Sequence, residues 1–488
     1  MNQLFYGDNL EVLQKHIGDE TVDLCYVDPP FNSKRNYNQI YNNVGKDDIA
    51  QSQAFVDTWS WGESAEWQLD ILRKEPKYTR RLVDTILGLE KILGKGSMLA
   101  YLVGMTVRIA EIWRVLTPTG SFFLHCDPTA SHYLKIILDS VFCDRGGDFR
   151  NEIIWGYQWG GVSKRNFARK HDVIFWYSKH KTRWTFNEKL MREPYTTKDT
   201  RWHNHEEGKL LRDIWDDIPI INTMSKERIG YTTQKPLPLL KRIIEACSNE
   251  GDTVLDAFCG CGTTVTAAHA LNRKWIGIDI TYFAVSLILK RLKDTYGNDI
   301  EQQIQLSGIP RDIESAKTLA DKQDDRLRKE FEKWAILSYT DNHAKINDKK
   351  GSDGGIDGVA YILGGTALFS VKSGKVSVKD VRDLCRVIER DEAAAGILLT
   401  LEEPTKPMLQ EAAAAGYMAD IPSPAGLKMP HQTPKLRIVT IQEILDGKRM
   451  NFPLTEAVVK SATQHKPKNK NRQIDFENDV MVIDEHND

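Results

Sequence analysis

Val254-Leu255-Asp256-Ala257-Phe258-Cys259-Gly260-Cys261-Gly262-Thr263-Thr264 is the stretch whose reading decides the fold. An apolar run of strand type leads into two closely spaced glycines, and a helix-forming segment, Thr264–Leu271, follows. Glycine at such a junction lets the backbone bend tightly and approach a ligand with no Cβ in the way. Trp275-Ile276-Gly277-Ile278-Asp279 reads as a second strand ending on a carboxylate, placed to accept hydrogen bonds from ribose hydroxyls. A nicotinamide dinucleotide site is the competing reading. That site ordinarily shows G-x-G-x-x-G, and position 265 is Val where the third glycine would stand. Cys259 and Cys261 lack the spacing of a zinc site and read as small buried side chains.

Outward from this turn, strands and helices alternate. Val22–Val27 and Ser121–His125 read as strands. Met98–Leu116, His132–Phe142 and Leu237–Ala246 read as helices. The alternation predicts a parallel sheet covered on both faces. The first strand ends in Asp28-Pro29-Pro30-Phe31. Consecutive prolines fix the backbone, so a carboxylate and a carbonyl are held in place at a strand end. Two such acceptors suit an exocyclic amine, whose lone pair is delocalised into its ring. An aromatic beside them offers a stacking surface for an extruded base. A plain proline turn is the bland alternative.

In this order the two segments resemble the amino-methyltransferases of DNA (N6-adenine or N4-cytosine), specifically the permuted β class, over roughly the first three hundred residues. The resemblance implies a Rossmann-like α/β fold and S-adenosylmethionine as methyl donor. It assigns catalysis to Asp28, Pro29, Pro30 and Phe31. It implies that Asp256, Phe258, Gly260 and Gly262 shape the methionine pocket, that Asp279 holds the ribose and that Thr263 also binds the cofactor. Asp8, in Tyr6-Gly7-Asp8-Asn9-Leu10, would contact the adenine of the cofactor. Lys235, in the family-like Thr233-Gln234-Lys235-Pro236, is likewise expected to bind the cofactor. In this family Asp at the first catalytic position goes mostly with adenine N6, and Ser with cytosine N4, so adenine is the expected acceptor.

Between the halves, residues 164–212 hold thirteen Lys or Arg against six Asp or Glu. Eight aromatics lie there: Phe167, Phe175, Trp176, Tyr177, Trp184, Phe186, Tyr195 and Trp202. Net charge over the chain is only −2, so binding to double-stranded DNA must come from such local patches. Ala168–Lys179 resembles the family segment that flanks the target base, and the region is expected to supply phosphate contacts and stacking surfaces. Trp202-His203-Asn204-His205 does not have the spread of an HNH nuclease.

After Gly308-Ile309-Pro310-Arg311-Asp312 a charged helical segment, Ile313–Ser338, opens a second α/β unit. Gly351-Ser352-Asp353-Gly354-Gly355-Ile356-Asp357-Gly358 and Ala367-Leu368-Phe369-Ser370-Val371-Lys372 resemble the Mrr-like branch of the PD-(D/E)xK restriction endonucleases. The resemblance implies that Asp357 holds Mg²⁺, that Lys372 orients the attacking water and that Glu332 completes the site. Ser370 stands where the family has Glu or Gln, and Asp353 or Glu332 would have to compensate. A degenerate nuclease fold kept for DNA binding is the alternative.

The expected organisation is therefore a methyltransferase catalytic half (1–150), a target-recognition region (151–230), a cofactor-binding half (231–310), an Mrr-like nuclease-like domain (311–450) and a largely disordered tail (451–488). The expected function is site-specific methylation of DNA at adenine N6, with Mg²⁺-dependent cleavage as an added activity in restriction-modification or defence. Rivals are a solitary methyltransferase of either base with an inactive C-terminal module, and a non-catalytic DNA-binding protein of methyltransferase descent. A homodimer and a partner restriction subunit are both left open. No run of about 18 apolar residues predicts a membrane span. Seven cysteines, an odd number in a long chain, make no disulfide framework, and the chain is read as reduced and cytoplasmic.

Overall fold

The computed structural model describes residues 1–30, 36–41, 50–56, 59, 61–158, 164–195, 205–222, 225, 227–229, 231, 233–321, 325–341, 343–347, 355–362, 365–418 and 433–451. Phe31, Asp353, Trp202 and the tail after Asn451 lie outside the described residues.

Nine strands form the central sheet: β1 (Asn2–Tyr6), β2 (Val22–Val27), β3 (Leu116–Cys126), β4 (Asp148–Gly156), β5 (His171–Ser178), β6 (Ile214–Trp215), β7 (Thr253–Asp256), β8 (Lys274–Asp279) and β9 (Ile304–Ser307). Their order is β6-β4-β5-β3-β2-β7-β8-β1-β9. Neighbours run parallel except where β5 meets β3 and β4. The central strands β2 and β7 are short, mostly apolar runs because both faces are covered. Helix Ser97–Val115 is buried on nearly every side, so its sequence is largely apolar, with Arg108 and Glu111 buried on paired contacts.

The register shows how the halves meet. Leu24 pairs with Val254 and Leu4 with Gly277, so β7 and β8 slot between two strands from the start of the chain. The carboxyl ends of β1, β2, β3, β7 and β8 therefore share one edge. That edge is where ligands sit in open parallel α/β sheets. Because β5 is antiparallel, its amino end reaches the same edge, with Val173 opposite Cys126.

Two expectations need correction. The boundary drawn at residue 150 falls inside β4, and residues 148–178 supply two full strands to the central sheet. The physical reason is the Phe175-Trp176-Tyr177 run, which is sheet core rather than a DNA-facing surface. The single helical segment expected over 313–338 is two helices, Ile313–Ala320 and Asp325–Tyr339. The first is closed at its start by Asp312, whose carboxylate accepts from the Ser315 amide at 2.7 Å.

The second sheet holds β10 (Ala344–Ile346), β11 (Gly358–Ile362), β12 (Gly365–Lys372), β13 (Ala395–Thr400) and β14 (Leu436–Thr440), in that order. Helix Asp325–Tyr339 joins the two sheets' layers. Its Ser338 hydroxyl donates to the Tyr282 hydroxyl at 3.0 Å, and Phe331 and Trp334 are buried in a core shared by both units.

Candidate active site

The glycine turn forms at the end of β7 as the sequence predicts. Gly260 and Gly262 both have positive φ, +46° and +74°, which L side chains rarely adopt. A Cβ on Gly262 would stand 2.6 Å from Ile288 Cγ1, so the turn also needs glycine for room. Asp279 closes the turn from the next strand. Its Oδ2 accepts from the Gly260 amide at 2.9 Å, and its Oδ1 accepts from the Thr281 amide and hydroxyl at 2.9 and 2.8 Å. Asp256 Oδ1 accepts from the Phe258 amide at 3.0 Å. Burial pushes the Asp256 carboxyl up to about 7 and Asp279 up to about 6, against hydrogen bonds that pull both down. The charges of Asp28 and Asp279 add to the rise at Asp256. Three carboxylates thus converge from β2, β7 and β8.

Asp28 follows the last residue of β2, one strand from the glycine turn. Its Oδ2 lies 2.5 Å from Lys235 Nζ, and both side chains are largely buried. The contact joins the proline motif to the segment that opens the cofactor half. Pro29 beside it is buried. Asp8 caps helix Asn9–His16, accepting from the Leu10 amide at 2.9 Å, and also takes Arg108 Nη2 at 2.9 Å. Thr263 is buried and its hydroxyl accepts from Arg291 Nη1 at 3.2 Å.

Several supporting residues were not legible in the sequence. Asn9 Nδ2 donates to the Ala257 carbonyl at 2.7 Å, while its Oδ1 accepts from the buried Arg108 at 2.5 Å. This bracket ties the first helix to the glycine turn across 248 residues. Behind Asp28, the fully buried His125 makes hydrogen bonds to the Tyr26 hydroxyl at 2.8 Å and to Asp172 Oδ2 at 3.0 Å. Tyr157 donates to the other Asp172 oxygen at 3.3 Å. Burial raises the Asp172 carboxyl, but His125, Lys235 and Tyr157 outweigh it and hold the group below its ordinary value. Asp172 lies within the family-like Ala168–Lys179 run; the signal was an acid after a histidine at a strand start.

The basic, aromatic region is reshaped. Phe175, Trp176 and Tyr177 are buried, and Trp184 and Phe186 are half-buried against the core. Lys179 is buried too, donating to the Leu116 carbonyl and to Glu20. Of the eight aromatics, the described ones left exposed are Phe167 and Tyr195.

Comparison with known proteins agrees with this architecture. The family model described as DNA methylase (N6/N4) matches residues 22–290, and the chain belongs to that family. A second model, described as restriction endonuclease (Mrr catalytic domain), matches residues 327–419. Among relatives, the type II methyltransferase M.HpaI of Haemophilus parainfluenzae is 30% identical over 241 residues, 49% of this chain and 72% of its own. The DNA adenine methyltransferase YhdJ of Escherichia coli is 26% identical over 301 residues, 59% of this chain and 82% of its own. Among solved structures, PvuII DNA methyltransferase (cytosine-N4-specific) shares 16% identity with a TM-score of 0.38, covering 59% of this chain and 85% of that one.

In the C-terminal unit the fold brings Glu332 and Asp357 together at the start of β11. A residue not foreseen lies between them: Lys329 Nζ is 2.5 Å from Glu332 and 3.2 Å from Asp357. Burial and the Asp357 charge raise the Glu332 carboxyl. Asp357 Oδ2 accepts from the Val371 amide at 2.8 Å. Lys372 ends β12 next to Gly355, and Ser370 turns its hydroxyl to the Gly355 carbonyl at 2.9 Å. Among the described residues no group of three or more His, Cys, Asp or Glu is placed to hold a metal ion. The described donors are two carboxylates with an ammonium between them, a set that does not suit Mg²⁺ as it stands.

Proposed function

We propose that the chain transfers a methyl group from S-adenosylmethionine to the exocyclic amine of a base extruded from double-stranded DNA, with adenine N6 as acceptor. The observation that carries this reading is the Asp28–Lys235 pair, 207 residues apart in sequence, standing beside the glycine turn. The three converging carboxylates and a turn with no room for a side chain at Gly262 fit a cationic, nucleoside-bearing donor.

When bound, S-adenosylmethionine supplies the electrophilic methyl group. Gly260 and Gly262 give its methionine end a backbone free of side chains, flanked by Asp256, Phe258 and Thr263. Asp279 would share its oxygens between the ribose and the Gly260 and Thr281 donors, since a carboxylate offers roughly four acceptor sites. Asp8, already fixed by Arg108, would reach the adenine. Lys235 sets the orientation of Asp28, which accepts a hydrogen of the target amine while the Pro29 carbonyl accepts the other. Holding both hydrogens favours the pyramidal nitrogen that attack requires, and the surplus proton of the methylated nitrogen would leave through Asp28, so positioning and fixed dipoles carry the acceleration. Adenine is supported by Asp at the first motif position and by a relative named as an adenine methyltransferase.

Sequencing of modified bases in cells making the wild type or Asp28→Ala tests this. N6-methyladenine at one short motif, absent with the variant, is expected. N4-methylcytosine in its place would overturn the adenine assignment, and no modified base would overturn the reading.

Cleavage by the C-terminal unit is a second reading, favoured by the meeting of Glu332 and Asp357. Lys329 and Ser370 oppose it, and our reading is that cleavage with Mg²⁺ is weak. Plasmid nicking abolished by Asp357→Ala would support a working site. Nicking unchanged by that variant would dismiss it.

A further inference from the structure

We propose that Phe167 is a wedge that enters the duplex and fills the space vacated by the extruded base. The proposal rests on the methyltransferase reading above and assigns this residue a task within it. Phe167 is 100% exposed, an unusual state for phenylalanine in a region where Phe175, Trp176 and Tyr177 are buried and Trp184 and Phe186 half-buried. Its neighbours are cationic: Lys164, Arg165 and Arg169 are exposed and Lys170 is partly so. Among the described residues no protein surface covers this apolar ring, and it suits a polyanion that offers an apolar slot between stacked bases.

Position supports the same assignment. Phe167 lies in the connection between β4 and β5, whose base is firmly built. Gly156 pairs with His171 and Trp155 with Asp172, and the Tyr157 amide donates to the Lys170 carbonyl at 2.9 Å. This base sits on the sheet edge that carries Asp28. His125 spans the two, bonding Tyr26, two residues before Asp28, and Asp172, five residues after Phe167. Five residues of chain reach at most about 17 Å, so the ring stays within the width of a duplex from the anchored edge. Taking a base out of its stack costs several stacking contacts, and a ring in the gap restores some of them.

Phe167→Ala and Phe167→Leu separate this from other roles, and with the ring fully exposed neither removes core packing. Single-turnover methylation is measured on a duplex carrying the motif read by modified-base sequencing, and on the same duplex with the target base mismatched, which lowers the cost of extrusion. Phe167→Ala should slow the matched duplex about 10- to 100-fold and the mismatched one by no more than about 3-fold, with Phe167→Leu in between. With 2-aminopurine at the target position, the fluorescence gain on binding should shrink in Phe167→Ala. An unchanged matched rate, or an equal loss on both duplexes, would overturn the wedge. A shift in sedimentation without a change in rate would assign the ring to self-association and also overturn it. If the wild type methylates neither duplex, the methyltransferase reading itself fails, which is a distinct outcome.

Discussion

Lys235 shows how much one side chain is asked to do. Its ammonium meets Asp28 at 2.5 Å and its charge also lowers Asp172, so it addresses two carboxylates on one edge of the sheet. Lys235→Ala should lower turnover by about 10- to 100-fold, the cost of one lost charge-assisted hydrogen bond of about 1.5–3 kcal/mol, with a smaller change in cofactor affinity. Steady-state kinetics beside equilibrium cofactor binding would show the split. Asp256 carries a pH signature. In the folded chain it titrates near 7, against an ordinary value of 3.8. Between those values the folded state holds more protons than the unfolded one, so this group's contribution to stability is present at low pH and is lost as pH rises towards 7. A cationic donor favours the ionised carboxylate, so its affinity should increase over the upper part of that window, with proton release on binding. Calorimetry at pH 5.5 and 7.5 in buffers of different ionisation enthalpy would detect it, and Asp256→Asn should flatten the dependence.

Among the elements, the strands on either side of the glycine turn and the Asp28 strand were legible because they are apolar runs bounded by turn residues. The Ser97–Val115 helix was legible from its spacing. β5 was not, because in a sheet buried on both faces a strand rich in Trp, Tyr and Phe resembles an aromatic binding surface. β4 was not, because its start, Asp148-Phe149-Arg150-Asn151-Glu152, is mostly polar and not buried. Lys329 was hidden for a different reason. Its role depends on helix Asp325–Tyr339 facing β11, a tertiary relation with no local mark. The Asn9 bracket is of the same kind. Asn9→Ala removes the bond to the Ala257 carbonyl and leaves Arg108 short of an acceptor in a buried setting. A loss of about 1–3 kcal/mol is expected in denaturant unfolding, with weakened cofactor binding because the carbonyl belongs to the glycine turn.

At the scale of the whole molecule, helix Asp325–Tyr339 serves both units. Glu330 accepts from the Tyr6 hydroxyl at 3.4 Å and the Tyr282 amide at 3.2 Å, and its charge adds to the rise at Asp279. One residue away, Lys329 faces the second site. Glu330→Ala should destabilise the methyltransferase unit by about 1–3 kcal/mol, read as a lower melting temperature of the intact chain. The larger architecture follows from the order of the sequence motifs: a permuted chain must bring its first strands around strands from 250 residues later, and β7 and β8 between β2 and β1 do so.

The central claim is that these interleaved halves build one site for methyl donor and base. Transfer of labelled methyl from S-adenosylmethionine to DNA, measured for the wild type and Asp28→Ala alongside cofactor binding by the same preparations, tests it most directly. The account predicts that Asp28→Ala binds the cofactor within a few-fold of wild type and transfers methyl at least about 1,000-fold more slowly. Transfer by the variant at the wild-type rate would contradict it.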